Sequence, residues 1–349
     1  MEIAVNPPTQ AEKPSAASPK KVFFWSMLVL LSVAAIAVIL EVSLRAIYRE
    51  EDASGAYWRN GPFVADDEVG YRHAPGYNGS AYRAKNFDSP VMIASNSLRQ
   101  ANFDAQMQYP AKVLILGDSF AFGLGVNEEA GFASLIQAPL NAAGVGVING
   151  AQVGYCVTQE AKFGARLASS LKPAAIVLTF FPRNDVVGDY FAEYKNVEVK
   201  YGMLLRPQRP LPFAGFDYLR THSYAGMIMN ASLDRQGMEE REKRFFRLGK
   251  DSTEQVLQPT LAALTMLRDY CQDNGVEFGV MMIPSATGKI VFDDQLRSFF
   301  QEKKIRLLDL GEKKFGRKNY FPGDGNWNED GHRRAARFLT PFCLKLLEE

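Results

Sequence analysis

The 349-residue chain reads as a three-layer α/β/α domain built on a parallel sheet and preceded by one N-terminal transmembrane helix. Short, almost continuously apolar runs recur along the chain, the mark of strands covered on both faces. Between them lie stretches with helical spacing, so strand and helix alternate as parallel crossovers require. Near the N-terminus one apolar run has no charge at all.

In chain order, residues 1–21 are rich in Pro, Ala, Ser and Lys and read as a disordered cytoplasmic tail. Residues 22–40, "VFFWSMLVLLSVAAIAVIL", would span about 28 Å as a helix, close to the ~30 Å hydrocarbon core of a bilayer. The run exceeds the apolar core of a signal peptide, and Glu41, Leu44 and Arg45 follow it in place of a small-x-small cleavage site. We therefore expect a retained anchor. Lys13, Lys20 and Lys21 precede it and Arg45 and Arg49 follow, so the positive-inside rule puts the N-terminus in the cytoplasm. The chain would then sit in the cytoplasmic (inner) membrane by a single pass, its C-terminal domain periplasmic or extracellular. Residues 41–109 form a polar lead-in.

From residue 110 to 349 the alternation begins. "KVLIL" (112–116) is a strand meeting Gly117; residues 128–144 read as a helix ending at Gly144; 145–150 and 174–181 are the next strands, with a helix between them closed by Pro173. Residues 186–250, rich in Tyr, Phe, Arg and Pro, break the rhythm as an insertion. A helix over 253–271, with Ser252 and Gln255 spaced as a capping box, a strand at 276–283, a helix at 293–303, a strand at 305–310 and a helix from about 329 complete the domain.

Composition excludes several functions. Forty basic residues against 39 acidic ones leave no surplus for nucleic acid. Three isolated cysteines form neither a CxxC nor a Cys/His cluster, and no cofactor or metal motif is present. The loop "GDSFAFG" has glycines but lacks the Lys of a phosphate-binding loop.

In open α/β sheets ligands bind outside the carboxyl ends of the strands. There this chain carries "GDSFAFG", "GYCVT" and "PRND" after three successive strands. Two backbone N–H groups, of Ser119 and Gly154, and the carboxamide of Asn184 would suit an oxyanion hole. From about residue 110 onward the chain resembles the SGNH (GDSL-type) hydrolases, a flavodoxin-like fold, through Gly117-Asp118-Ser119-Phe120, Gly154 and Asn184-Asp185; the lead-in looks like that of membrane-anchored bacterial members. The resemblance implies that Ser119 attacks an ester carbonyl while Ser119, Gly154 and Asn184 hold the oxyanion. Pro182 stands where the family has a glycine.

The family's last block is Asp, then His, then Asn opening a helix. In "DGNWNEDGHRR" the asparagine falls on Asn328, the aspartate on Asp324, and the histidine slot on Asn326. A second alignment pairs Asp330 with His332. On a helix that begins at Asn328 these two point about 200° apart and cannot meet; if the helix starts later they can. His73 and His222 are the remaining histidines. The resemblance thus implies a membrane-anchored serine esterase or O-acyltransferase acting on an acylated small molecule, polysaccharide or lipid. The alternative is a catalytically weakened relative that binds such a ligand or a membrane-protein partner.

Overall fold

The computed structural model describes residues 18–55, 57–58, 61–206, 215–251, 253–285 and 292–348. It contains two compact units, Met1–Tyr48 and Arg49–Glu349. The first holds the helix Pro19–Ile47, which is long and apolar enough to cross a membrane and buries none of its side chains. Lys20 and Lys21 lie within this helix; the tail before residue 18 lies outside the described residues.

The second unit opens with the short helix Glu50–Ser54 and two antiparallel hairpins, β1 (Phe63–Asp66) with β2 (Gly70–His73), and β3 (Asn78–Arg83) with β4 (Phe87–Met92). The central sheet follows: β5 (Ala111–Leu116), β6 (Val145–Asn149) and β7 (Ala175–Phe180). A small hairpin, β8 (Glu198–Lys200) and β9 (Met203–Leu205), lies in the insertion; β10 (Glu277–Met282) and β11 (Arg306–Asp309) return to the sheet. The five central strands are all parallel, in the order β11-β10-β7-β5-β6. Counted within the sheet this is 2-1-3-4-5, a doubly wound order whose switch point lies between β5 and β7.

Both faces are covered, which is why β6 and β7 bury every residue. Ile115, Val177 and Gly279 share one row of the sheet; the side chains of Phe342 and Leu346, from the helix Glu329–Leu347, press on Gly279. On the opposite face Leu114 and Leu116 pack near Leu167 and Gly164 of the helix Val157–Leu171, beside which runs Thr253–Asp273.

Three segments differ from the sequence reading. The helix expected over 128–144 is broken into Glu128–Ala130, Phe132–Leu135 and Gln137–Ala142. Pro139 lacks the N–H that would bond back across the break, so one continuous helix is not maintained. The insertion contains the 28-residue helix Tyr224–Asp251. The lead-in, read only as polar, is two hairpins whose aromatic residues join the core: Trp58, Phe63, Tyr71 and His73 are buried together. The cap expected at Ser252 lies outside the described residues.

Candidate active site

The strand β5 delivers Ser119 to the switch point. Gly117 has φ +153°, and a Cβ there would fall 1.8 Å from Thr179 Oγ1 on β7, so the turn needs glycine. Asp118 caps the single helical turn Ser119–Phe122 by accepting from Phe120 N at 2.9 Å. Ser119 therefore heads a turn at the strand's carboxyl end, half-buried.

Its hydroxyl donates to Asn326 Oδ1 at 2.8 Å, and Asn326 Nδ2 donates to Asp324 Oδ1 at 2.8 Å. The carboxylate decides which way the amide faces. Asp324 only accepts, so the NH₂ turns to it and the carbonyl oxygen is left for Ser119. Asp324 is held from the other side by the lead-in: Tyr57 Oη donates to Oδ2 at 3.0 Å, and Arg83 Nε lies 3.4 Å from the same oxygen. Asp324's side chain is fully buried by these contacts. The serine is thus the first member of a chain Ser119–Asn326–Asp324–Tyr57/Arg83 in which the central position is a carboxamide.

The segment bearing Asp324 and Asn326 is a tight hairpin. Tyr320 pairs with Trp327, Phe321 N donates to Asn326 O, and Asn328 N donates to Asn319 O. Gly323 and Gly325 take the left-handed backbone at its tip. Trp327 is buried against Phe120 and Phe315, which anchors the hairpin beside the serine turn.

Asn184 lies in the first turn of the helix Pro182–Tyr190, which Pro182 opens at the position where its missing N–H does no harm. Its Nδ2 donates to Asp118 Oδ2 at 3.0 Å and to Tyr155 O at 3.4 Å. Those partners are the chain neighbours of Ser119 and Gly154, so the three blocks meet at one place, but the amide is turned to protein acceptors. Gly154 has φ +79°, and a Cβ there would meet Tyr71 Oη at 2.9 Å. The N–H groups of Ser119 and Gly154 have no acceptor among the described residues.

Asp330 and His332 do not pair. The helix starts at Glu329, with Asn328 as N-cap accepting from Gly331 N at 3.2 Å. This puts Asp330 on the surface with Arg333 and sends His332 into the core, where only 1% of it is exposed. There His332 Nδ1 accepts from Phe132 N at 3.2 Å and the ring packs on Phe132 and Trp327. Burial, helped by the charge of Arg99, pulls its pKa down to about 3, so the ring is neutral. His73 is buried between Phe63 and Phe122, also pulled to about 3 by burial, and His222 stacks on Tyr218 in the insertion. None of the three hydrogen-bonds to Ser119.

A group of acids lies behind the site: Asp118 and Asp185 belong to the sequence blocks, while Glu160 and Asp189 carry no motif. Asp118, Glu160, Asp185 and Asp189 are all buried. Both carboxyl oxygens of Glu160 and Oδ1 of Asp185 lack a hydrogen-bond partner. Burial pushes Asp118 up to about 6, and burial with the neighbouring carboxylates raises Glu160 and Asp185 well above the usual range. Asp189 is raised by burial too, although it accepts from Thr158 N at 3.0 Å and Thr260 Oγ1 at 2.8 Å.

No family model and no curated protein matches the sequence. Among solved structures, the chain is similar to the psychrotrophic esterase EstA from Pseudoalteromonas sp. (15% identity, TM-score 0.38, covering 68% of this chain and 99% of that one). It is similar to an acetyl xylan esterase, AlAXEase (14%, TM-score 0.36, 66% and 98%), and to a GDSL-like lipase from Bacteroides thetaiotaomicron (11%, TM-score 0.37, 70% and 96%). Identity and TM-score are both low, and the chemistry of the site stands on its own geometry.

Proposed function

We propose that this chain is a membrane-anchored protein of SGNH type that binds an O-acylated carbohydrate or lipid outside the cytoplasm and turns it over only slowly. The observation that carries this is the hydrogen bond from Ser119 Oγ to the carboxamide of Asn326. A serine hydroxyl is a weak nucleophile until a base takes its proton. An amide oxygen positions the hydroxyl but does not accept that proton at neutral pH. General-base assistance contributes roughly 10²–10⁴-fold, so a site without it keeps binding and orientation and gives up most of the rate. The N–H groups of Ser119 and Gly154 have no acceptor among the described residues and suit an acyl carbonyl oxygen. Asn184 joins them by releasing its long bond to Tyr155 O.

A second reading, an active esterase or O-acyltransferase, is favoured by the retention of Ser119 and of the clamped Asp324. In that reaction Ser119 Oγ bonds to the acyl carbon and gives up its proton, the carbon–oxygen bond to the alcohol breaks, and the departing alkoxide takes up that proton. Water or a second hydroxyl then receives the acyl group. Binding of an acetylated xylo-oligosaccharide and release of acetate from it, followed in one sample, separate the readings. The proposal expects binding that is weakened by deacetylation of the ligand, with acetate released little faster than from Ser119→Ala. Acetate release that is fast and lost in Ser119→Ala would establish the active enzyme. Protease added to spheroplasts should digest the residues from about 50 onward; full protection there would reverse the orientation.

A further inference from the structure

Residues 312–337 hold seven Lys and Arg against four Asp and Glu, in a chain whose totals balance to within one charge. The structure gathers most of this charge around one recess of about 210 Å³, lined by Lys318, Asn319, Asp330, Arg333, Arg334 and Arg337. Positions 330, 333, 334 and 337 are spaced i, i+3, i+4 and i+7 on the helix Glu329–Leu347, so they share one face. The turn Arg317–Asn319 supplies the opposite wall.

The cations there are not equivalent. Arg333 is engaged by Glu329 and Asp330. Arg334 donates to Lys313 O and lies over the rings of Phe315 and Phe338. Lys318 and Arg337 are exposed, and neither has an acidic partner among the described residues. Two unpaired cations face a recess whose other cations are already braced, and a planar guanidinium favours a forked bond to a carboxylate or phosphate. We propose that this recess binds an oxyanion group carried on a soluble anionic glycan.

Two features favour a soluble polymer over a lipid surface. The cations line a concavity. Among the described residues of 312–337, none of the large apolar side chains is exposed, so the recess has no rim to insert between lipids. The recess is also joined to the serine. Asn319 and Asn328 form the base of the hairpin whose next pairs are Tyr320–Trp327 and Phe321–Asn326. Two residue steps of ~3.3 Å put the hairpin position of Asn326 about 7 Å along the strand from the rim of the recess. Only the link between this recess and the acyl ligand rests on the function proposed above; the binding of an oxyanion does not.

The test uses the full chain in a non-ionic detergent, titrated with polygalacturonate oligomers, polyphosphate, neutral dextran, and vesicles of phosphatidylcholine containing phosphatidylglycerol. Polygalacturonate should bind and dextran should not; polyphosphate should compete for the same recess, and binding of polyphosphate without polygalacturonate would overturn the assignment to a glycan. Lys318→Glu with Arg337→Glu should weaken polygalacturonate binding at least about tenfold with no change in melting temperature, because both side chains are exposed and neither has a side-chain hydrogen bond or ion pair among the described residues. Added salt should weaken it as well. Ser119→Ala and Asn326→His should bind as wild type does, so a failure of the acyl-site reading would leave this result untouched. Equal binding of dextran, indifference to the charge reversal, or binding to the vesicles alone would overturn the proposal.

Discussion

Replacing Asn326 by His should create an esterase. Asn326 lies 2.8 Å from Ser119 Oγ on one side and 2.8 Å from Asp324 on the other, the relation a catalytic imidazole holds to its serine and carboxylate. Asp324 is fixed by Tyr57 and Arg83 and would orient the new ring by accepting from one of its nitrogens. The other nitrogen would take the proton of Ser119 as the acyl bond forms. General-base assistance of roughly 10²–10⁴-fold corresponds to about 2.7–5.4 kcal/mol off the barrier. The assay is hydrolysis of p-nitrophenyl acetate by the full chain, wild type against Asn326→His. The gain should climb with pH through the imidazole range near ~6.5, level off once the ring is neutral, and vanish when Ser119→Ala is added. His332→Ala added to Asn326→His should lower stability and leave the rate per folded molecule unchanged. A folded Asn326→His protein no faster than wild type, or a gain that survives Ser119→Ala, would show that position 326 is not the place of a base for Ser119.

Glu160→Gln should flatten the pH dependence of stability. Glu160 faces Asp118, Asp185 and Asp189 and its folded pKa is raised, so the fold holds its proton after the unfolded chain has released it. Stability must then fall as pH rises above the ordinary glutamate value, at up to ~1.4 kcal/mol per pH unit for one such group. Thermal melts from pH 4 to 8 should show a shallower decline in Glu160→Gln, with the residual slope coming from the three aspartates; an unchanged slope would show that Glu160 is ionised in the fold. Gly117→Ala should destabilise by about 3–5 kcal/mol, read by denaturant titration, because its Cβ would meet Thr179 Oγ1 at 1.8 Å and its φ disfavours a side chain. A loss under ~1 kcal/mol would mean that the serine turn adapts.

The sheet is legible because its strands are buried on both faces: "VLIL" (113–116) is apolar and "AAIVLTFF" is interrupted only by Thr179, short runs of the length that a strand covered on both faces shows. The last helix is legible but its start is not: the sequence allows a start at Asn328, a good cap followed by two acids, or a later one, and the start observed at Asn328 carries His332 inward with Ala335, Ala336 and Leu339. The flanking charges of "EDGHRR" suggest the opposite, since only the helical period separates the buried ring from its exposed neighbours. What holds Asp324 is not legible. Tyr57 is 267 residues away, in a lead-in whose hairpins carry little apolar alternation. Glu160 reads as an ordinary helix glutamate, since no local pattern announces that three aspartates from other segments face it. Pro182, visible in the sequence where the family has a glycine, opens the helix on which Asn184 turns toward Asp118; the acceptor it turns to is not legible.

The most direct test of an unactivated Ser119 is the rate at which a fluorophosphonate probe labels it in the wild-type chain. The reagent needs only the serine nucleophile and the oxyanion donors, so it reports activation without regard to the natural ligand. Labelling should be confined to Ser119, slow, and on the order of 10²-fold or more faster in Asn326→His at neutral pH. Wild-type labelling as fast as that of Asn326→His, and abolished by Ser119→Ala, would contradict the account.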